Sequence, residues 1–200
     1  SPTPTTPPWP SAHEVIALAA RSDGSLLVGG VDILSNPLMI GLARRRADGS
    51  LDPDFVVPVS GVYAVTALAD GKTLMGGAFT SLRGEPRLNL ARLTPDATLD
   101  SSFDAQAGTD GDVLALAVQA DGKILVGGAF TQVNRVPRPG LARLEADGAL
   151  DASFDPGPGV EGVVRAIAVQ ADGRILIGGE FPRVASAERN RVARLQEAPL

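Results

Sequence analysis

Arginine stands eight residues before aspartate at three roughly evenly spaced places in this 200-residue chain, as Arg44 and Asp52, Arg92 and Asp100, and Arg143 and Asp151. A planar guanidinium grips a carboxylate with two parallel N–H···O bonds, so a pair at fixed spacing makes a strong and directional ion pair. Carboxylates gathered from several segments are also the material of a glycoside hydrolase. These acids recur where turns and ion pairs need them, which favours bracing over catalysis. Three more arginines, Arg87, Arg138 and Arg189, each lie 17 residues after the Asp of an Asp-Gly pair. In rotational register they are candidates to bind an anion, a sugar acid or an acidic partner.

Other chemistries lack their parts. The chain has no cysteine and one histidine, His13, so thiol nucleophiles, thiolate metal sites, disulfides and histidine triads are excluded or unsupported. His13 reads as a loop residue just before the first inner strand. The Asp-Gly pairs read as turns, since no loop offers the alternating oxygen donors of a calcium site. No catalytic residue, metal or cofactor is assigned. The net charge is −5 and arginine is spread evenly, which argues against a nucleic-acid partner. No apolar run approaches the roughly 18 residues of a membrane span. The first residue is Ser1 and no signal peptide is visible, so a processed or excised segment is expected.

The residues are positioned by a repeat. RSDGSLLVGG, LADGKTLMGG, QADGKILVGG and QADGRILIGG place their aspartates at 23, 70, 121 and 172. LARRRADGSLDPDF, LARLTPDATLDSSF and LARLEADGALDASF follow from Leu42, Leu90 and Leu141, and a shortened VARLQ from Val192. The period is about 50 residues, read as 13–61, 62–112, 113–163 and 164–200 after a Pro-rich segment at 1–12.

In the third copy, Val113–Val118 and Lys123–Phe130 are aliphatic runs joined by Ala120, Asp121 and Gly122. A three-residue loop with Gly122 in the left-handed region predicts Val118 opposite Ile124 and Leu116 opposite Val126. Strict alternation then puts Leu114, Leu116, Val118, Ile124 and Val126 on one face and Ala115, Ala117 and Leu125 on the other. Both are apolar, so the hairpin must be covered twice. A second hairpin, turning at Ala146, Asp147 and Gly148, predicts Leu144 opposite Leu150 and Arg143 opposite Asp151. The Gly-Gly pair ending each second strand suits a bulge or close approach between neighbours. Four short antiparallel strands per 50 residues make a propeller blade, so the fold is read as an all-β propeller of four-stranded blades.

VQADGKILVGGAFTQV followed by LARLEADGALDASFDPG resembles the bacterial delta-60 repeat, a propeller domain of unknown function from long, mostly exported bacterial proteins. It also resembles kelch repeats, which place a Gly-Gly pair at the end of their second strand, more distantly. The delta-60 resemblance covers about residues 13 to 196. It implies a propeller in an extracellular or cell-surface setting, and no assigned activity.

The fourth copy stops before its last strand, and Thr5 to Trp9 fall almost where Leu51 to Phe55 precede the second copy. Trp9 is therefore a candidate ring-closing residue; the other reading of this segment is a proline-rich linker. Closure within one chain, two chains in an eight-bladed ring, and a piece of a longer array all fit. The expected role is a non-enzymatic interaction or structural module with a protein or glycan partner at its loops. A lectin with one site per blade is the alternative, and a propeller hydrolase stands third.

Overall fold

The computed structural model describes residues 14–31, 40–103 and 108–195. Trp9, His13 and the whole 1–12 segment lie outside the described residues. What is described is all β, a row of four antiparallel blades. Blade 1 holds β1 (Glu14–Ala20), β2 (Leu26–Val31), β3 (Ile40–Arg45) and β4 (Leu51–Pro58). Blade 2 holds β5 (Val62–Ala67), β6 (Thr73–Gly77), a small hairpin of β7 (Ser81–Leu82) and β8 (Glu85–Pro86), and β9 (Leu90–Leu93). Blade 3 repeats this with β10 (Val113–Val118), β11 (Ile124–Gly128), β12 (Gln132–Val133), β13 (Val136–Pro137) and β14 (Leu141–Leu144). Blade 4 has β15 (Val163–Val169), β16 (Ile175–Glu180), β17 (Arg183–Val184), β18 (Ala187–Glu188) and β19 (Val192–Leu195).

Turn chemistry sets the registers. Gln119 N–H donates to the Lys123 carbonyl at 2.8 Å, and Gly122 adopts φ +88°. Val118 then pairs with Ile124 and Leu116 with Val126, as the three-residue loop requires. Leu144 bridges to Leu150 across the second turn. In blade 2 that turn has Ala97 where blade 3 has Gly148, and Ala97 takes φ +62°. The strain costs on the order of 1 kcal/mol. It is offset because the Ala97 methyl is fully buried in the core shared with blade 1.

Among the described residues the fourth strand is a named strand only in blade 1, where its register shifts twice. In blades 2 and 3 it shrinks to the single bridges Leu93–Leu99 and Leu144–Leu150, followed by a tight turn. That turn is made by the aspartate itself: Phe154 N–H reaches the Asp151 carbonyl, and Asp151 Oδ1 accepts from Ser153 N–H and Oγ–H at 2.9 and 2.6 Å.

Strict alternation fails at one place in every inner strand. Val113 pairs with Gly128 and Ala115 with Gly127, so Leu114 is an extra residue in a β-bulge. Beyond the bulge the faces exchange. Val113, not Leu114, is the one that joins Leu116 against the preceding blade.

The core lies between blades. Leu27, Leu42 and Phe55 of blade 1 pack with Val62, Met75 and Phe79 of blade 2. Leu74, Leu90 and Phe103 pack with Val113, Val126 and Phe130, and Leu125, Leu141 and Phe154 with Val164, Ile177 and Phe181. The glycine pair makes this contact fit. A Cβ on Gly127 would come within 2.7 Å of Val164 Cγ1, and one on Gly128 would run into the Asp112 carbonyl oxygen.

Candidate functional site

The same bulge recurs between Val15 and Ala17, Val62 and Ala64, Val113 and Ala115, and Val164 and Ala166. A bulge re-aims a side chain out of the pleat. The four bulged residues, Ile16, Tyr63, Leu114 and Arg165, converge on one hollow of about 550 Å³. Asp112, Ala129 and Val163 complete its lining. One contribution comes from each blade, so the hollow is the axis of the array, at the end where connecting loops enter the inner strands.

Its lining is amphipathic. Ile16 and Leu114 are apolar, Tyr63 adds a ring with a hydroxyl, and Arg165 and Asp112 add opposite charges. Arg165 Nε donates to Glu180 Oε1 at 2.6 Å, across an exposed pair. Such a surface offers an aromatic or aliphatic seat flanked by ionic contacts.

The loops around it are fixed rather than free. Asp110 accepts from Thr131 N–H at 2.7 Å, Thr131 Oγ–H at 2.5 Å and Gln132 N–H at 2.8 Å. Burial works to raise the Asp110 pKa, but these donors outweigh it and hold the carboxyl below its ordinary value. Asn89 Nδ2 donates to the Thr109 carbonyl at 3.0 Å, tying blade 2 to the linker that enters blade 3. Between them lies a smaller recess of about 350 Å³, lined by Leu88, Thr109, Asp110, Gln132 and Arg135 among others.

The eight-residue pairs are made, and they point away from chemistry. Nε of Arg44, Arg92 and Arg143 donates to Oδ2 of Asp52, Asp100 and Asp151, each at 2.7 Å. Each guanidinium also lies over the phenylalanine three residues after its aspartate, 4.7 Å from Phe55 and Phe103 and 4.8 Å from Phe154. Arg44 and Arg92 reach the next blade as well, donating to the Pro95 and Ala146 carbonyls. Lys72 and Lys123 add a second cation to Asp100 and Asp151, and in blade 1 Arg46 takes that role for Asp52. Burial pushes the Asp100 and Asp151 pKa upward, yet hydrogen bonds from serine, lysine and arginine prevail and hold both far below the usual carboxylate range. Acids so deeply held as anions make poor proton donors.

Arg87, Arg138 and Arg189 occupy equivalent places just after β8, β13 and β18. Their backbone N–H groups donate to the carbonyls of Thr80, Thr131 and Pro182, and each Nη1 donates to the carbonyl of the residue before it. None of the three lines the axial hollow. Among the described residues no three His, Cys, Asp or Glu side chains gather as metal ligands.

Sequence reasoning assigned no site role to Ile16, Tyr63 or Arg165 and placed Leu114 on the face of Leu116. The signal was present: in all four copies a constant Val-x-Ala brackets the one position whose identity changes from Ile to Tyr, Leu and Arg.

Comparison with known proteins agrees with this architecture. The model of the family described as "Domain of unknown function (DUF5122) beta-propeller" matches residues 21–55, 68–103, 119–154 and 170–197. No curated protein matches. Among solved structures, a protein of unknown function from Bacteroides caccae is similar with a TM-score of 0.52 at 13% identity, over 84% of this chain and 54% of that one. The Cps50 (Swd1) beta-propeller domain of Myceliophteria thermophila is similar with a TM-score of 0.51 at 13% identity, over 84% of this chain and 49% of that one. The chain thus spans about half the length of these two structures.

Proposed function

The chain belongs to the DUF5122 beta-propeller family, and we propose that it is a non-enzymatic interaction module that binds a partner in its axial hollow. One observation carries the reading: a bulge repeated in every blade aims the single variable residue of Val-x-Ala at a common space. A rigid frame with constant packing residues and changing rim residues is how a scaffold acquires specificity without altering its fold. The mixed lining suits a protein segment carrying an apolar or aromatic side chain beside charge. The cell-surface or extracellular setting implied by the delta-60 resemblance is part of the proposal. The firmly ionised, paired aspartates support a non-catalytic role.

The test replaces Ile16, Tyr63, Leu114 and Arg165 together with serine and compares capture of bacterial surface and secreted proteins by both chains. The variant should keep its circular dichroism and lose specific partners. An unchanged set of captured proteins would remove the hollow from consideration. Binding on a glycan array by the parent chain, lost in Arg87, Arg138 and Arg189 variants, would favour the per-blade lectin instead.

A further inference from the structure

The two ends of the blade row carry the two halves of a contact made three times within it. At each internal seam an inner-strand valine covers the first glycine of the pair in the blade before. Val62 meets Gly29, Val113 with Leu116 meets Gly76, and Val164 with Ile167 meets Gly127. These three valines are 0% exposed.

On blade 1 the corresponding residues, Val15 and Leu18, are 42% and 59% exposed. On blade 4 the corresponding glycine, Gly178, faces open space: a Cβ there would meet only the Arg191 carbonyl oxygen, at 3.8 Å. Around it lies a hollow of about 960 Å³, lined by Arg165, Gly178, Gly179, Phe181 and Arg191 among others. Val192, counterpart of the buried Leu42, Leu90 and Leu141, is 65% exposed. One face presents knobs, the other presents the matching socket, and among the described residues blades 1 and 4 share no packed pair of strands.

The molecule itself shows what fits each face. The socket is built for a blade edge carrying Val-x-Ala-Leu or its like, and blade 1 carries Val15-Ile16-Ala17-Leu18. The four blades, moreover, correspond to 49% of a solved beta-propeller domain. An arc of that extent leaves room for as many blades again.

We propose that a second copy of this chain covers both faces, with its Val15 and Leu18 over Gly178 and its own Gly178 beneath the first copy's Val15. The two seams are then identical and related by a two-fold axis, and the copies share one axis. In that ring eight bulged residues surround the hollow, which is only half walled in a single copy. The assembly stands apart from the question of what the hollow binds.

The absence of cysteine permits a clean test. At the internal seams the Cβ of the covering valine lies 2.9 to 3.4 Å from the ideal Cβ of its glycine, close to the roughly 3.5–4.5 Å that a disulfide spans. A Val15→Cys chain mixed with a Gly178→Cys chain and oxidised should give a covalent pair, whereas neither variant alone should. The parent chain should show twice its 20.5 kDa mass by light scattering. Gly178→Arg should halve that mass with circular dichroism unchanged, since the added side chain enters open space within its own copy. Three results overturn the proposal: a monomeric parent chain without cross-linking; a Val15→Cys, Gly178→Cys double variant that closes on itself within one chain; or a ladder of covalent multimers.

Discussion

Replacing Arg143 with alanine tests one bracing pair together with the contacts its guanidinium makes to Gln119, Ser153 and Phe154. The change removes the 2.7 Å bond from Nε to Asp151 Oδ2 and the guanidinium above Phe154. It leaves Asp151, only 4% exposed, with Lys123 Nζ at 2.7 Å and the Ser153 donors. Leaving a buried polar group without its partner costs about 1–3 kcal/mol, and more where the group is charged. Because lysine and serine still hold the carboxylate, a loss of about 2 kcal/mol is expected. For a domain of this size that lowers Tm by about 4–8 °C.

Acid sharpens the assay. The folded carboxyl is held below its unfolded value, so its stabilisation is fully present above about pH 4 and fades as pH falls through the folded pKa. The gap between parent and variant should therefore be widest near neutrality and narrow below about pH 4. Thermal melts followed by circular dichroism at several pH values measure this directly. Equal melting temperatures at pH 7 would refute the assignment, and a gap that ignored acid would show that packing, not charge, is responsible.

Three further outcomes follow from other parts of the molecule. Gly127→Ala forces a methyl into Val164 and Ile167 and should destabilise by about 1–3 kcal/mol, read from denaturant midpoints. Asp110→Ala frees the Thr131 and Gln132 amides, and hydrogen exchange at those two positions should accelerate while exchange in β10 does not. Ala97→Gly exchanges relief of a left-handed alanine for loss of a buried methyl, so its effect on Tm should be small where Ala91→Gly, in the core strand β9, is clearly damaging.

The hairpins, their registers and the ion pairs were legible because each is decided within about ten residues, by an Asp-Gly turn and the strands beside it. Val118 is an instance: its partner Ile124 follows from loop length alone. The bulge at Leu114 was not legible in that way. It arises from a contact between blades, where Val113 must meet Gly76 while the Asp112 carbonyl approaches Gly128. A two-residue period describes one strand and contains nothing about the neighbouring blade. The shrunken fourth strand escaped for a related reason, since LDASFD alternates well enough to pair, yet Asp151 commits Oδ1 to Ser153 and folds the chain into a turn.

Because each of the three large apolar clusters joins two blades, heredity acts on this molecule through its seams. Duplicating or deleting a segment of one full period regenerates every seam from parts already tested, whatever the cut point along the period. A segment half as long would mate faces never selected for one another. Growth by whole periods therefore keeps the same kind of contact at every internal seam, and a lineage can lengthen the array first and diversify the bulged residues afterwards.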